Sequence, residues 1–139
     1  MKIQFTVYGN PKAQKRHRTG KGHNYDPSES DKADFLAMAR DRKPASPLVN
    51  QGIKVGLAFF MPRPKYHFNS KGEVKERYAY IAHTKTPDVD NLAKMVLDAL
   101  KGTYWHDDAM ITSLLTEKVY SHKPRTEVYV VWDAEKGGE

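Results

Sequence analysis

The chain has 139 residues, a net charge of +6 and no cysteine. This length fits one compact domain, residues 1–139, and the missing cysteines exclude disulfides and cysteine-bound zinc. No apolar run approaches the ~20 residues that span a bilayer, and the first residues do not have a signal-peptide pattern, so we expect a cytoplasmic protein with no membrane partner.

Strands and helices follow one another in a mixed order. In chain order the patterns predict a strand over residues 1–8, a basic loop over 9–25, a helix over 31–42, a strand over 53–61, a helix over 90–101 and strands over 110–120 and 126–132. Ser28 or Ser30 is the predicted cap of the first helix, and residues 134–139 are predicted to fray. With no internal repeat, this order predicts an α/β (α+β) fold, a single domain with a mixed β-sheet and two or more packed helices.

Two acidic residues, Asp88 and Asp90, precede the helix predicted over 90–101. Carboxylates two residues apart point to opposite faces of a strand and lie about 200° apart on a helix, so they converge only at an irregular junction. Pro87 marks such a junction, because it ends the preceding extended segment and fits the first turn of a helix. In the alternative, structural interpretation, Asp88 is an N-cap and Asp90 a first-turn residue favoured by the helix dipole.

A second acidic pair, Asp107 and Asp108, follows the same helix. The helix spans ~18 Å, and residues 102–108 are enough for the chain to return toward the first pair. If the two pairs meet, a hard divalent cation such as Mg²⁺ is the natural counterion for the crowded carboxylates. A solvated turn is the alternative for the second pair.

Basic residues stand close to these acids in the sequence. Lys94 lies four residues after Asp90, so on a helix it either forms an ion pair with that carboxylate or approaches a bound phosphate. The basic segment 9–25 and the aromatic-rich segment 62–87 favour contact with nucleic acid, because cations neutralise phosphates and aromatic rings stack on exposed bases. Solvated loops are the alternative. Since no Gly-rich phosphate-binding motif is present, we expect no nucleotide cofactor.

Several motifs give the chain a family resemblance. They are residues 87–94 (Pro-Asp-Val-Asp-Asn-Leu-Ala-Lys), 97–102 (Leu-Asp-Ala-Leu-Lys-Gly) and 105–109 (Trp-His-Asp-Asp-Ala), with His-Thr-Lys at 83–85 and the basic run at 9–18. Together they resemble the RusA family of Holliday-junction resolvases. The resemblance covers most of the chain, residues 83–109 carry its specific part, and residues 65–82 are an insert relative to smaller members.

The resemblance implies a homodimeric endodeoxyribonuclease of bacteria, phages or prophages. It implies an enzyme that requires Mg²⁺, for which Mn²⁺ can substitute, and that cuts four-way DNA junctions in opposing strands during recombination and repair. Asp88, Asp90 and Asp108 are then the catalytic metal ligands, Asp107 joins the metal site, and Lys94 is the basic residue near the scissile phosphate. The predicted DNA contacts are Lys12, Lys15, Arg16, Arg18 and Lys85.

Two other functions stay open at this point. A less selective nuclease that acts on flaps or branched DNA shares every residue named above. A non-catalytic DNA-binding module uses the acidic residues only as caps and turns. Cleavage assays with metal, on DNA of different shapes, distinguish all three.

Overall fold

The secondary structure follows the predicted order closely. The computed structural model describes residues 1–15, 18–20 and 23–133. In chain order its elements are β1 (Lys2–Tyr8), β2 (Arg18–Gly20), β3 (His23–Tyr25), α1 (Glu29–Ala39), β4 (Ile53–Pro62), α2 (Val89–Leu100), β5 (Ile111–Ser121) and β6 (Arg125–Trp132). Short 3₁₀ turns lie at Arg40–Arg42, Lys65–His67, Glu76–Tyr78 and Asp108–Met110. Neither α1 nor α2 is long and apolar enough to cross a membrane.

Four strands form one mixed sheet in the order β1-β6-β4-β5. β6 pairs antiparallel with both β1 and β4, whereas β4 and β5 are parallel. A parallel pair needs a crossover connection, and α2 provides it between β4 and β5. The acidic pairs on either side of α2 therefore belong to one crossover, and the predicted mixed sheet with two packed helices is confirmed.

One face of this sheet carries the core. Alternate residues of β4 from Ile53 to Met61 are at most 3% exposed, and they cluster with a buried stripe of α2. That stripe consists of Leu92, Ala93, Met95, Val96, Ala99 and Leu100. Complete burial of each large apolar side chain is worth about 1.5–3 kcal/mol, so the stripe fixes the rotation of α2. The α2 residues Asp90 and Lys94, which lie outside the stripe, therefore face away from the core.

The basic segment 9–25 differs from the predicted loop. It contains a two-stranded antiparallel sheet, β2 with β3, in which Thr19 lies opposite Asn24. Residues 16, 17, 21 and 22, and the predicted frayed tail 134–139, lie outside the described residues. The loop prediction rested on composition, which does not register backbone pairing between two very short strands.

The start of α1 also differs from the sequence prediction. The helix begins two residues early, after Ser28, whose side chain makes no capping hydrogen bond. The Ser28 hydroxyl oxygen instead accepts a hydrogen bond of 2.7 Å from the backbone N–H of Lys15, and the residue is fully buried. Ser28 thus anchors the basic segment on the helix rather than capping the helix.

Candidate active site

The start of α2 presents two exposed carboxylates. Asp88 is the N-cap residue, with an extended backbone, and its side chain makes no capping hydrogen bond to the first turn. Asp90 lies in that turn, and its Oδ1 accepts a 3.0 Å hydrogen bond from the backbone N–H of Asn91. Pro87 directly precedes the N-cap, so it does not lie in the first turn as predicted. Asp88 therefore occupies the cap position, but its carboxylate does not perform the capping role.

The second acidic pair divides into two different roles. Asp107 is the N-cap of the 3₁₀ turn Asp108–Met110, and its Oδ1 accepts a 3.1 Å hydrogen bond from the backbone N–H of Ala109. Asp108 is half-buried, and its Oδ1 accepts a 2.7 Å hydrogen bond from the indole N–H of Trp105. Because Trp105 is fully buried, this bond fixes the orientation of the Asp108 carboxylate.

An open depression of about 380 Å³ lies between α2 and β5. Asp90, Lys94 and Asp108 line it, so the structure brings these three predicted site residues to one place. Asp88 is not among its lining residues. Within residues 1–15, 18–20 and 23–133, no three acidic or histidine side chains are grouped closely enough to hold a metal ion. The shared metal site of Asp88, Asp90, Asp107 and Asp108 stays a prediction.

Lys94 is exposed and forms no ion pair with any described residue. The ion pair between Lys94 and Asp90, one of the two predicted alternatives, is thus not formed. Asp98, which also lines the depression, is paired with Lys32 at 3.3 Å, and Lys32 contacts Asp26 at 2.5 Å. Burial acts to lower the pKa of Lys32, but its hydrogen bonds and charge interactions with both carboxylates raise it overall. Asp98 is therefore held in an ion pair with Lys32, which it shares with Asp26, whereas the positive charge of Lys94 is available to a phosphate.

The loop that precedes Asp88 is attached to the sheet by one lysine. The ammonium group of Lys118 in β5 donates hydrogen bonds to the backbone oxygens of Lys85, at 2.6 Å, and Pro87, at 2.8 Å. This contact holds the backbone on both sides of Thr86. Sequence analysis missed Lys118, because no local pattern marks a lysine that bonds to carbonyls more than thirty residues away.

Nearly the whole chain is similar to proteins of one known family. The sequence model of the family Endodeoxyribonuclease RusA matches residues 8–131. The chain belongs to the RusA family. A relative in Bacillus subtilis (strain 168), named "Uncharacterized protein YqaN", is 34% identical over 134 residues, which cover 92% of this chain and 94% of the relative. The family membership inferred from the motifs is confirmed.

In this RusA-family chain, the basic segment runs beside the start of α2. The backbone N–H of Gln14 donates a 3.0 Å hydrogen bond to the oxygen of Asn91. Lys12 and Lys15 are 61% and 59% exposed at the side chain, and they approach Asp31 only at 4.0 and 3.9 Å. Exposed ion pairs with such long N···O distances contribute little to stability, so both lysines are free to contact phosphates. Arg16 lies outside the described residues, and Arg18 is the first residue of β2.

The insert at residues 65–82 is organised around Arg63. Its guanidinium donates to the backbone oxygens of Tyr78, at 2.8 Å, and Ala79, at 3.2 Å, and lies 3.3 Å from Nδ1 of His67. The buried His67 ring stacks on Tyr78 with 4.5 Å between centroids. Burial, and secondarily the charge of Arg63, lower the pKa of His67. The insert is thus an ordered part of this RusA domain that contains a neutral buried histidine.

This histidine makes stability depend on pH. Below the ordinary histidine pKa of 6.5, the unfolded chain binds a proton that folded His67 resists, so the free energy of unfolding falls as the pH falls. We expect the urea midpoint to drop between about pH 7.5 and pH 5, as measured by tryptophan fluorescence. His67→Phe keeps a ring against Tyr78 and should flatten this dependence, whereas the matched change at the exposed His122 should not. Equal pH dependence in wild type and His67→Phe contradicts the assignment.

Proposed function

We propose that this RusA-family chain is a metal-dependent, structure-selective endodeoxyribonuclease that resolves four-way (Holliday) DNA junctions by paired strand incisions during recombination and repair. The observation that carries the proposal is the position of Asp90, Lys94 and Asp108 around one open depression. The match to an endodeoxyribonuclease family over residues 8–131 supports the same chemistry.

Carboxylate oxygens are the donors that Mg²⁺ or Mn²⁺ prefers, and the acidic residues on both sides of α2 supply donors of this type. Asp88, Asp90 and Asp108 would hold it, with Asp107 beside them. When bound, the metal supplies activated water and stabilises charge on the leaving oxygen. Lys94 is available to stabilise charge on the phosphoryl group, because no described carboxylate neutralises it. Trp105 orients Asp108, and Lys118 holds the loop before Asp88.

The proposed DNA surface consists of Lys12, Lys15, Arg16, Arg18 and Lys85. Each phosphate contact made by such a residue contributes about 0.9 to the slope of log affinity against log salt concentration on duplex arms. We expect the triple change Lys15→Ala, Arg16→Ala and Arg18→Ala to flatten this slope by up to about 2.7, which is three such contacts. Fluorescence anisotropy with a labelled junction measures it. An unchanged slope in a folded variant removes these residues from the DNA surface.

We further propose that the enzyme works as a homodimer. Resolution needs two incisions that are related by the approximate two-fold symmetry of the junction. One chain carries one set of acidic residues, and a two-fold dimer supplies two equivalent sets. Sedimentation of the free protein, together with mapping of both cut strands, tests this proposal. A monomer that nicks only one strand contradicts it.

The proposed function is tested by incubating the purified protein with four-way junctions, flaps, duplexes and single strands, with and without Mg²⁺. We expect paired cuts in the four-way junction that require the metal. Preferential cutting of flaps identifies the less selective nuclease. Binding without cleavage in any metal identifies the non-catalytic module.

A further inference from the structure

A second cavity lies beside the loop that leads to Asp88. It is open to solvent, its volume is about 680 Å³, and it is bordered by residues 61–66 on one side and by residues 83–87 on the other. Tyr66, Tyr120 and His83 form part of its lining, and Lys85 contributes to its edge. This volume lies within the range of about 300–1,000 Å³ that is typical of small-molecule sites. The described residues that line the cavity include no acidic one, so its charge suits an anionic ligand.

His83 carries a buried polar atom that has no partner. The residue is 9% exposed, and its Nδ1 makes no hydrogen bond to any described part of the protein. Nδ1 is itself buried, so as the side chain stands it is closed to a ligand in the cavity. Burial, and secondarily the charge of Lys118, lower the pKa of His83, against a backbone hydrogen bond that raises it. His83 therefore contributes an uncharged wall to the cavity.

Tyr66 provides an aromatic surface at the same cavity. Its ring makes edge-on contacts with His67 and Tyr78, at centroid distances of 4.8 and 5.4 Å, and yet the residue is 53% exposed. A ring that is fixed by its neighbours but open to solvent loses little entropy when a base stacks on it. These contacts thus hold the Tyr66 ring in place while one part of it stays open to a stacked base.

The cavity is close to the candidate active site along the chain. Asp88 lies three positions after Lys85 in the sequence, a span of at most ~11 Å even when fully extended. Lys118 fixes the backbone of this span at both Lys85 and Pro87. The exposed Lys85 side chain forms no ion pair with a described residue, so it is available to a phosphate. A nucleotide in the cavity therefore lies near the phosphate that the acidic residues would cleave.

We propose that this cavity binds one unstacked nucleotide of the branched DNA, adjacent to the cleaved phosphate. Its base stacks on Tyr66, and its phosphate contacts Lys85. This proposal rests on the proposed function. Taking a base out of a duplex costs a few kcal/mol, and the cost is lowest where pairing is already interrupted, as at a branch point. The cavity thus couples recognition of branched DNA to the position of the cut.

The test is a scan of abasic positions in the junction. Single abasic sites are placed within a few nucleotides of the mapped cut, and affinity is measured by anisotropy with Ca²⁺ in place of Mg²⁺ so that the DNA stays intact. We expect one position at which the abasic site weakens wild-type binding roughly 5- to 150-fold, the range for loss of one stacked base. Tyr66→Ala should weaken binding to intact DNA by a similar factor, with no further loss at the abasic position. Tyr66→Phe should behave as wild type.

A matched control variant sharpens the test. Tyr80 belongs to the same insert, is 99% exposed and does not line the cavity, so Tyr80→Ala measures the effect of removing an exposed tyrosine that does not contact the proposed nucleotide. The proposal is overturned if no position is sensitive, if the Tyr66 and abasic effects simply add, or if Tyr80→Ala costs as much as Tyr66→Ala.

Failure of this inference can be distinguished from failure of the proposed function. A wild-type protein that binds and cuts the junction, but shows no coupling between Tyr66 and any abasic site, overturns the cavity proposal alone. A protein that neither selects nor cuts the junction overturns both. If free mononucleotides bind at the cavity but abasic sites have no effect, a small-molecule site replaces the DNA subsite.

Discussion

Replacement of Asp88, Asp90 or Asp108 by Asn is expected to abolish DNA cleavage while binding of the four-way junction stays intact or tightens. Each change removes one anionic ligand from a site for a hard cation and also lessens repulsion of the DNA phosphates. We expect the cleavage rate to fall at least about 100-fold, which is the typical effect of removing one electrostatic contact to a transition state. Cleavage rate and junction affinity are measured separately, and Mn²⁺ binding is followed by calorimetry.

Asp98→Asn is the matched control for these three variants. Asp98 lines the same depression as Asp90 and Asp108, but it is held in an ion pair with Lys32. We therefore expect Asp98→Asn to lower the free energy of unfolding and to leave Mn²⁺ binding and cleavage in place. Full cleavage by any of the three Asn variants removes that residue from the site. Loss of cleavage in Asp98→Asn, in a folded protein, extends the site to that residue.

Periodicity predicted the elements that bury a regular stripe. α2 and β4 were found because their apolar residues recur at the spacing of one face, and burial of that face is also what fixes them in the fold. The short strands β2 and β3 were missed because three residues carry no measurable period. α1 begins directly after Ser28, one of the two predicted cap residues, but the Ser28 side chain bonds to Lys15, a contact between distant residues that no local rule contains.

The candidate site was also predictable only in part. Acidic residues two apart at an irregular junction pointed to the start of α2, and Asp90, Lys94 and Asp108 do line one depression. The groups that position them were not predictable. Trp105 resembles an ordinary core residue in sequence, and its indole N–H is directed at Asp108 only by the return of the chain after α2. Lys118 resembles a solvated strand residue, yet it holds the loop before Asp88.

Trp105→Phe is expected to weaken metal dependence without removing any proposed ligand. The indole N–H is the hydrogen-bond donor that orients Asp108, and Phe keeps an aromatic ring in the fully buried position but has no donor. Groups that orient a metal ligand typically contribute about 10–100-fold to affinity or activity. We expect the Mg²⁺ concentration for half-maximal cleavage to rise by about that factor, and excess metal to restore most of the rate. A purely structural role predicts a lower rate at every metal concentration.

The control for this change is Trp132→Phe. Trp132 is also buried, at 7% exposed, and its indole makes no hydrogen bond to an acidic residue of the described chain. Both variants create a small cavity and lower the free energy of unfolding, which urea denaturation measures. Only Trp105→Phe should shift the metal dependence, because only its indole restrains a proposed ligand. If both variants shift it equally, or neither does, the bond from Trp105 to Asp108 serves folding alone and the proposed positioning role is wrong.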